Sequence, residues 1–475
     1  MRLSKSYTHA NARDGQILVE VLVALTIIAL TLTASYLISV VSNELLLDKK
    51  LSDRAMLYAQ EGMGAVGAIR DRDWFALSAG THGLSFDGSY WNVSGTQDII
   101  GNFTRQVIIT DVASHTKKIE ASIAWIGFPN ISRTIRSISH ITNWNQENLL
   151  FTSWLNPGTL GSADVDPGGN QGFDVGVDGS YVYITAYQAA VSKSDLFIFD
   201  ITNPASPSRI RDFDSGDGLH RISVKKGSGY AFAISEVDTA GFKVIDIEPP
   251  ASADIATTLD LPGSSVNVSV LAYGNYAYVG TQTDSGDEEL IVVDITTPTS
   301  PSVVGSLEIG ATVNAIAAYE NRLYLATSHD NKEFIVVDIS TPPSPSEIGS
   351  WDWSGSEDAF AIYAQSPSQV LIGRANASGG ELEILNAANP ASIASLGSFE
   401  VGADINDLIA VDWLAFLGTS HANQELTIVN ITDPSNPTTH STFNYPQQAR
   451  GVDFEGEYVF AAVKSNDALR IMESQ

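Results

Sequence analysis

The chain has 475 residues, of which 44% are apolar and 17% are charged, so it can bury a substantial core. It contains no cysteine, which excludes a disulfide scaffold, a thiolate zinc site and a cysteine nucleophile. Residues 1–146 carry a net charge of +1 and residues 147–475 a net charge of −30. This excludes nucleic acid as a partner of the acidic part, whose charge either favours basic partners or only keeps the domain soluble.

The N-terminal segment combines a basic start with an apolar run. Arg2, Lys5 and Arg13 precede 23 uncharged residues, 21–43, which are long enough to span a bilayer as one helix. Basic residues before such a run keep the N-terminus in the cytoplasm. Glu20 places a carboxylate at the start of the run, where lipid makes it costly, so this residue indicates a function.

Residues 15–20 read Gly-Gln-Ile-Leu-Val-Glu and resemble the prepilin signal of type IV pilins and type II secretion pseudopilins. The resemblance implies that prepilin peptidase cleaves between Gly15 and Gln16, and that Gln16 is then methylated. Gln16 departs from the phenylalanine that is usual in the family. Glu20 becomes the fifth mature residue, whose carboxylate in this family pairs with the N-terminal amine of a neighbouring subunit in the filament.

Two other interpretations of this segment remain open. The run could be an uncleaved signal anchor, or an ordinary signal peptide cut near residues 33–35. Both treat Glu20 as incidental, whereas the pilin interpretation uses the glycine, the carboxylate and the apolar run together.

Apolar residues continue at helical spacing to residue 70, which predicts one helix over 16–70. Gly62, Gly64 and Gly67 either allow close packing on a sheet or mark a kink. Three alternating segments, 103–110, 118–125 and 134–141, predict strands of a small antiparallel head over 71–146. Helix and head together are similar to minor pilins and pseudopilins.

The remaining two-thirds contains a repeat. Its anchor is an apolar strand that ends in an acid or amide and is followed in most copies by a proline-rich turn, as at Asp200, Asp246, Asp294 and Asp338. Weaker copies end at Asn386, Asn430 and Glu473, and successive anchors lie 43 to 48 residues apart. The period is typical of propeller blades. The anchors resemble the LVIVD-type repeat of bacterial and archaeal surface proteins, which implies a β-propeller.

We therefore predict a mainly β protein. It has a leader (1–15), a transmembrane and assembly helix (16–70), a pilin-like head (71–146) and a seven-bladed propeller over 147–475, with six blades as the alternative. The last unit has only three strands. Because an open blade would expose an unpaired edge, we expect the apolar segment 148–155 to pair with residues 469–473 as the missing strand.

The propeller sequence offers few chemical sites. The acids at the anchor ends are expected to bind backbone N–H groups of the turn. His329 and His421 occupy equivalent loops, and residues 212–217 and 284–289 could hold calcium without having the spacing of a dedicated loop. We predict no catalytic residue, no cofactor and no metal other than this calcium. Polar residues where the inner strands begin could form a ligand-binding ring at one channel mouth or could satisfy turn backbone: Arg221, Asn267, Asn314, Asp358, Asn406 and Arg450.

These features predict a minor pilin or pseudopilin of a type IV pilus-like filament that displays a propeller for adhesion or recognition. Its partners would be prepilin peptidase, other pilin subunits, the inner membrane before assembly and an unknown surface, polymer or protein ligand. Its single helix would hold it in the cytoplasmic membrane before it enters an extracellular filament. The alternatives are a secretion pseudopilin that contacts cargo and a surface enzyme that acts on polysaccharide or peptide.

Overall fold

The computed structural model describes residues 12–74, 76–113, 116–142, 153–165, 171–187, 193–216, 218–235, 241–263, 266–283, 286–353, 355–376 and 379–475. The chain forms two compact units, Met1–Asn143 and Trp144–Gln475.

Helix α1 (Ala12–Arg72) forms the first half of unit one and has two different surfaces. From residue 17 to residue 38 every side chain is exposed, and most of them are apolar. Nearer its C-terminus, Ala59, Val66 and Ile69 are buried against the sheet that follows. One end of the helix therefore belongs to a packed core, while the other is long and apolar enough to cross a membrane.

The three glycines of α1 do not interrupt the helix. A Cβ atom on Gly62 would lie 3.2 Å from Cδ of Arg105 and 3.6 Å from Cβ of Ala121, whereas Gly64 and Gly67 face open space. Gly62 thus permits close approach of helix and sheet, the first of the two roles expected of these glycines.

The sheet of unit one is antiparallel, with strand order β2-β1-β4-β5-β6 and β3 paired on β4. Strands β4, β5 and β6 lie where the sequence predicted three strands, whereas the first three lack strong alternation and were not predicted. The strands are β1 (Gly80–Phe86), β2 (Trp91–Ser94), β3 (Asp98–Ile100), β4 (Phe103–Ala113), β5 (Thr116–Gly127) and β6 (Ile131–Thr142).

Within the described residues, unit two consists of seven antiparallel four-stranded sheets and two short 3-10 helices, Pro250–Ser252 and Pro390–Ser392. Strand β7 (Pro157–Ala163) comes first in the chain but belongs to sheet 7. The other strands follow chain order, and sheets 1 and 2 consist of β8 (Gln171–Asp178), β9 (Tyr181–Tyr187), β10 (Leu196–Asp200) and β11 (Ser208–Phe213), and of β12 (Leu219–Lys225), β13 (Tyr230–Ser235), β14 (Phe242–Asp246) and β15 (Asp254–Leu259). Sheets 3 and 4 consist of β16 (Asn267–Tyr273), β17 (Tyr276–Thr281), β18 (Leu290–Asp294) and β19 (Ser302–Leu307), and of β20 (Val313–Tyr319), β21 (Arg322–Thr327), β22 (Phe334–Asp338) and β23 (Ser346–Trp351). Sheet 5 consists of β24 (Ala359–Ser366), β25 (Gln369–Arg374), β26 (Leu382–Asn386) and β27 (Ala394–Phe399), sheet 6 of β28 (Ile405–Val411), β29 (Leu414–Thr419), β30 (Leu426–Asn430) and β31 (Thr438–Phe443), and sheet 7 of β32 (Ala449–Glu455), β33 (Tyr458–Val463) and β34 (Leu469–Ser474) together with β7.

The sheets stand side by side in a closed order. An apolar core lies between each sheet and the next, including one shared by sheet 7 and sheet 1. In this last core, Phe460 and Ile471 of sheet 7 pack with Phe197 and Phe199 of sheet 1. Each anchor strand is thus covered on both faces, which is why its residues are apolar in succession and do not alternate. The first strand of each sheet (β8, β12, β16, β20, β24, β28 and β32, the inner strands) contacts the next inner strand, and β32 contacts β8.

The strand that completes sheet 7 comes from the start of unit two, but it is not the predicted one. Strand β7 pairs with β34, with Ile471 opposite Gly161. The prediction of 148–155 was therefore wrong; residues 148–152 lie outside the described part of the chain. The buried Trp154 lies just before β7, and its backbone N–H donates to Oγ of Ser474 at 2.9 Å. The Trp154 ring belongs to the core between sheets 6 and 7. An apolar residue of segment 148–155 therefore packs in a core without being part of the outer strand.

Glycine was the better signal for an outer strand. Four of the seven outer strands carry a glycine where they approach the proline turn of the following sheet, so closely that a Cβ atom there would overlap a backbone carbonyl. Gly161 on β7 meets Pro204 of sheet 1 in this way. Three junctions inside the array repeat the contact: Gly305 with Pro343, Gly349 with Pro390, and Gly397 with Pro434.

We expect Gly161→Ala to destabilise unit two by about 1–3 kcal/mol, because the added methyl group forces the outer strand away from the Pro204 carbonyl. Chemical denaturation of the full chain in detergent measures the effect. Gly305→Ala, at an internal junction, should cost a similar amount, and Ser162→Ala, an exposed neighbour on β7, should cost little. A neutral Gly161→Ala beside a costly Gly305→Ala would contradict the closure by β7.

Candidate functional site

The inner strands share a local irregularity near their beginning. Each contains one residue that has no partner on the second strand of its sheet, as in a β-bulge, which turns side chains away from the regular pleat. These bulge residues are Phe173, His220, Val268, Asn314, Phe360, Asn406 and Arg450.

The six residues expected to ring the channel mouth do not share one position in this register. Asn314, Asn406 and Arg450 are bulge residues, Asn267 comes one residue before its bulge and Arg221 one residue after. Asp358 precedes β24 and lies two residues before Phe360. The repeat therefore places them at four different levels of the inner strands.

The three asparagines bridge neighbouring sheets. Each side-chain amide donates to a backbone carbonyl of an adjacent sheet: Asn267 to Ser235 at 3.1 Å, Asn314 to Ala359 at 2.7 Å and Asn406 to Ala449 at 2.8 Å. These bonds satisfy backbone carbonyls at the ends of strands. Of the two roles that the sequence left open for these asparagines, ligand binding and hydrogen bonding to backbone, these bonds are the second.

Three carboxylates on the inner strands, one buried and two half-buried, join sheets in a second way. One oxygen of each accepts the N–H of the following residue, and the other accepts an N–H from the next inner strand. The bonds between strands run from Ile222 to Asp174 at 3.0 Å, from Val452 to Asp407 at 2.8 Å and from Val177 to Asp453 at 3.0 Å. Burial raises the pKa of all three carboxyls, to about 6 for Asp453. We did not single out these residues from the sequence, although an aspartate inside an apolar strand is the signal that could have found them.

Beside these carboxylates, Phe173, His220, Arg221 and Arg450 form what we call the channel cluster. The Phe173 and His220 rings stack with centroids 3.8 Å apart, and the guanidinium carbons of Arg221 and Arg450 lie 5.6 and 4.9 Å from the Phe173 centroid. Nη1 of Arg221 is 3.6 Å from Oδ1 of Asp174. Burial, and after it the two arginines, lowers the pKa of His220 to about 3, so this imidazole is neutral at physiological pH.

The channel cluster concentrates positive charge on an acidic domain. Burial and the neighbouring Arg221 lower the pKa of Arg450, which reflects two guanidinium groups held close together. Because Arg221 already faces the Asp174 carboxylate, a carboxylate or another anion that enters the cluster would be held mainly by Arg450. Of the predicted ring, Arg221 and Arg450 are thus brought together.

The acids and amides at the anchor ends hold the proline turns, as predicted. Each side-chain oxygen accepts the N–H two residues further on, within 2.8 to 3.0 Å, at Asp200, Asp246, Asp294, Asp338, Asn386 and Asn430. A second set of acids, directly before the anchor strands, was not singled out. Buried carboxylates there accept N–H groups about 20 residues further along the chain, at Asp195, Glu289, Glu333, Glu381 and Glu425.

The remaining candidates behave as loop residues. Nδ1 of His329 and His421 accepts the N–H of Asn331 and Asn423 in equivalent loops. Of the two acidic stretches considered for calcium, residues 217, 284 and 285 lie outside the described residues. Within the described residues, no group of three or more histidine or acidic side chains is arranged to hold a metal.

Comparison with known families finds the LVIVD repeat at residues 170–214, 262–308, 310–352 and 421–444. No curated protein matches the chain. Among solved structures, the WD40 β-propeller domain of Doa1 is 13% identical, with 68% of this chain and 98% of that domain covered at a TM-score of 0.50.

A chain of the mitotic checkpoint complex is 10% identical, with 68% of this chain and 88% of that chain covered, also at 0.50. Virginiamycin B lyase from Staphylococcus aureus is 12% identical, with 66% and 98% covered at 0.49. The chain therefore contains LVIVD repeats, and its second unit has the fold of a β-propeller.

We expect the half-buried Asp453 to make stability depend on pH. Because its pKa is about 6 in the folded state and 3.8 ordinarily, the folded state holds an extra proton between these values. Its contribution to stability is therefore present at low pH and is lost as the pH rises through about 6. When the pH rises from 5 to 8, the free energy of unfolding of the Asp453→Asn variant should fall less than that of the unmodified chain, by on the order of 1 kcal/mol.

Denaturation of the full chain at the two pH values tests this, with the exposed Asp254→Asn as the control of equal charge change. An Asp453→Asn profile that follows the unmodified chain would contradict the assignment.

Proposed function

We propose that this protein is a minor pilin or pseudopilin subunit whose outer part is a seven-bladed propeller used for adhesion or recognition at the cell surface. The observation that carries the proposal is the division of α1 into two parts. Its first part is apolar and exposed, whereas its last part is built into the core of an antiparallel sheet. A helix of this kind is suited to sit in the membrane before assembly and among other helices afterwards.

Glu20 fits this division. It lies on the exposed, apolar part of α1, and its side chain is itself exposed. A carboxylate among packed apolar helices is tolerable only with an opposite charge nearby, and the amine created by cleavage after Gly15 supplies one. The backbone of Gly15 and Gln16 belongs to α1, and the Gln16 side chain lies outside what the structure describes.

The propeller supports a role in display. Seven sheets with a core between each neighbouring pair support seven blades rather than six. Such a domain is too wide to repeat at every subunit of a tightly packed filament, which favours a tip or a sparse position over the main shaft. The channel cluster, with two arginines and an aromatic ring, is the part of the inner strands best suited to contact a ligand.

We expect the mature protein to begin at Gln16, with the mass of one added methyl group, and a Gly15→Leu precursor to remain uncut. Mass spectrometry of the protein from a piliated host with its prepilin peptidase measures both. A mature protein that begins near residue 34, or one that retains residues 1–15, would contradict the pilin assignment.

Glu20→Ala should insert into the membrane normally, because it removes a charge from the spanning helix. It should reduce incorporation into sheared filaments at least about tenfold, because the N-terminal amine of the neighbour loses its partner. Glu44→Ala, on the same helix beyond the apolar run, is the matched control and should be incorporated normally. Equal incorporation of both variants would count against a filament role for Glu20.

A further inference from the structure

A cavity of about 550 Å³ lies between sheets 1 and 2, at the end where the anchor strands finish. Its volume falls within the range of about 300–1,000 Å³ that is typical of ligand pockets. Three tyrosines and three acids contribute most of its chemistry: Tyr181, Tyr183, Tyr230, Asp178, Asp246 and Glu248. The site is separate from the channel cluster.

The cavity has a strongly negative lining. No lysine, arginine or histidine is among its lining residues. Two of its carboxylates are fixed in place by the backbone: the N–H of Gly227 donates to Asp178 at 2.9 Å, and the N–H of Glu248 donates to Asp246 at 3.0 Å. A carboxylate has a second oxygen when the first is occupied, so each of them can still accept a hydrogen bond from a ligand.

The Tyr183 hydroxyl makes the cavity more than an acidic cluster. The Tyr183 side chain is 1% exposed and lines the cavity, and its hydroxyl has no hydrogen-bond partner among the described residues. Burial, and after it the carboxylates of Asp178 and Glu248, raises its pKa, so the hydroxyl keeps its proton. Because Tyr183 lines the cavity, its hydroxyl is available to a ligand there, as donor or as acceptor.

The junction between sheets 4 and 5 shows which chemical group can occupy the equivalent place. Tyr181 pairs with Asp200 in sheet 1, and in sheet 4 the same register position, opposite Asp338, is occupied by Arg322. Nη1 of Arg322 reaches the next sheet and donates to the carbonyls of Ala387 and Ala388, at 3.1 Å each. These two residues correspond to Ile247 and Glu248, which line the cavity. Between sheets 4 and 5 the chain thus supplies its own guanidinium, whereas between sheets 1 and 2 it supplies a tyrosine and leaves a cavity.

We propose that this cavity binds a guanidinium or alkylammonium group, the head of an arginine or lysine side chain or of a small organic amine. Carboxylates attract the cation and accept its N–H groups, and the faces of the tyrosines stabilise it further. The net charge of −30 over residues 147–475 concentrates such cations near the surface. This inference goes beyond the display function and does not depend on it.

The test is calorimetric titration of the full chain, in detergent, with Nα-acetylarginine methylamide and Nα-acetyllysine methylamide. At least one should bind saturably. The citrulline analogue has the shape of arginine without its charge and should bind at least about tenfold more weakly. Agmatine tests the other source, because tighter binding of agmatine than of blocked arginine would identify a free amine as the ligand.

Three variants locate the site. Asp246→Asn keeps the turn, since asparagine stands at this position in Asn386 and Asn430, and it should weaken binding at least about fivefold. Tyr183→Phe should weaken it at least about twofold; phenylalanine is native at the equivalent Phe232 and Phe416. Tyr181→Arg should abolish binding, because the tethered guanidinium then fills the cavity as Arg322 does.

Asp294→Asn is the matched control, because it makes the same change at the same turn position of sheet 3, away from the cavity. It should leave binding unchanged. The proposal is overturned if neither cation binds saturably, if the citrulline analogue binds equally well, or if Asp294→Asn weakens binding as much as Asp246→Asn.

Discussion

The pairing of β7 with β34 is the constraint on which the second unit depends. Sheet 7 receives three strands from the end of the chain and its fourth from the start of the unit, so no sheet is left with an open, apolar edge. The same pairing lets sheet 7 share a core with sheet 1, which makes every sheet internal to the array. Because each junction then buries apolar side chains on both sides, the anchor strands can be uniformly apolar without exposing them.

The inner strands carry different residue types near the closure and on the opposite side of the array. At the position after the bulge, sheets 6, 1 and 2, near the closure, carry Asp407, Asp174 and Arg221, whereas sheet 7 carries Gly451 there and Asp453 two residues further on. On the opposite side, the corresponding positions after the bulge are the small residues Ser269, Ala315 and Ala361. Hydrogen bonds that carboxylates accept from the next inner strand therefore lie where the two ends of the unit meet, and so does the channel cluster. The region that holds the closure together is also the one with the most binding chemistry.

Much of this architecture could be predicted from the sequence, because repetition makes weak signals visible. The anchor strands, their turn-binding acids and the three long strands of the first unit all followed from period and alternation. Two things did not. The outer strand β7 is rich in glycine, since it must approach Pro204, so it lacks the apolar pattern by which strands are recognised. Arg221 and Arg450 were among the residues of the predicted ring, but Phe173 and His220, which complete the channel cluster, were not, because the bulge that turns these two side chains out of the regular pleat leaves no mark in the sequence. The cavity between sheets 1 and 2 has Tyr181 at the position that Arg322 occupies in sheet 4, a difference that is seen when the junctions are compared.

The proposed function has a direct physical consequence: because the apolar helix and the propeller belong to one chain, the propeller goes wherever the helix is assembled. Immunogold labelling of sheared surface filaments, with an antibody against the propeller, measures this most directly. The account predicts label on the filaments at sparse positions or at their tips, and its loss from filaments when residues 147–475 are deleted. Propeller antigen that stays entirely in the membrane fraction, with filaments free of label in cells that produce the protein, would contradict it.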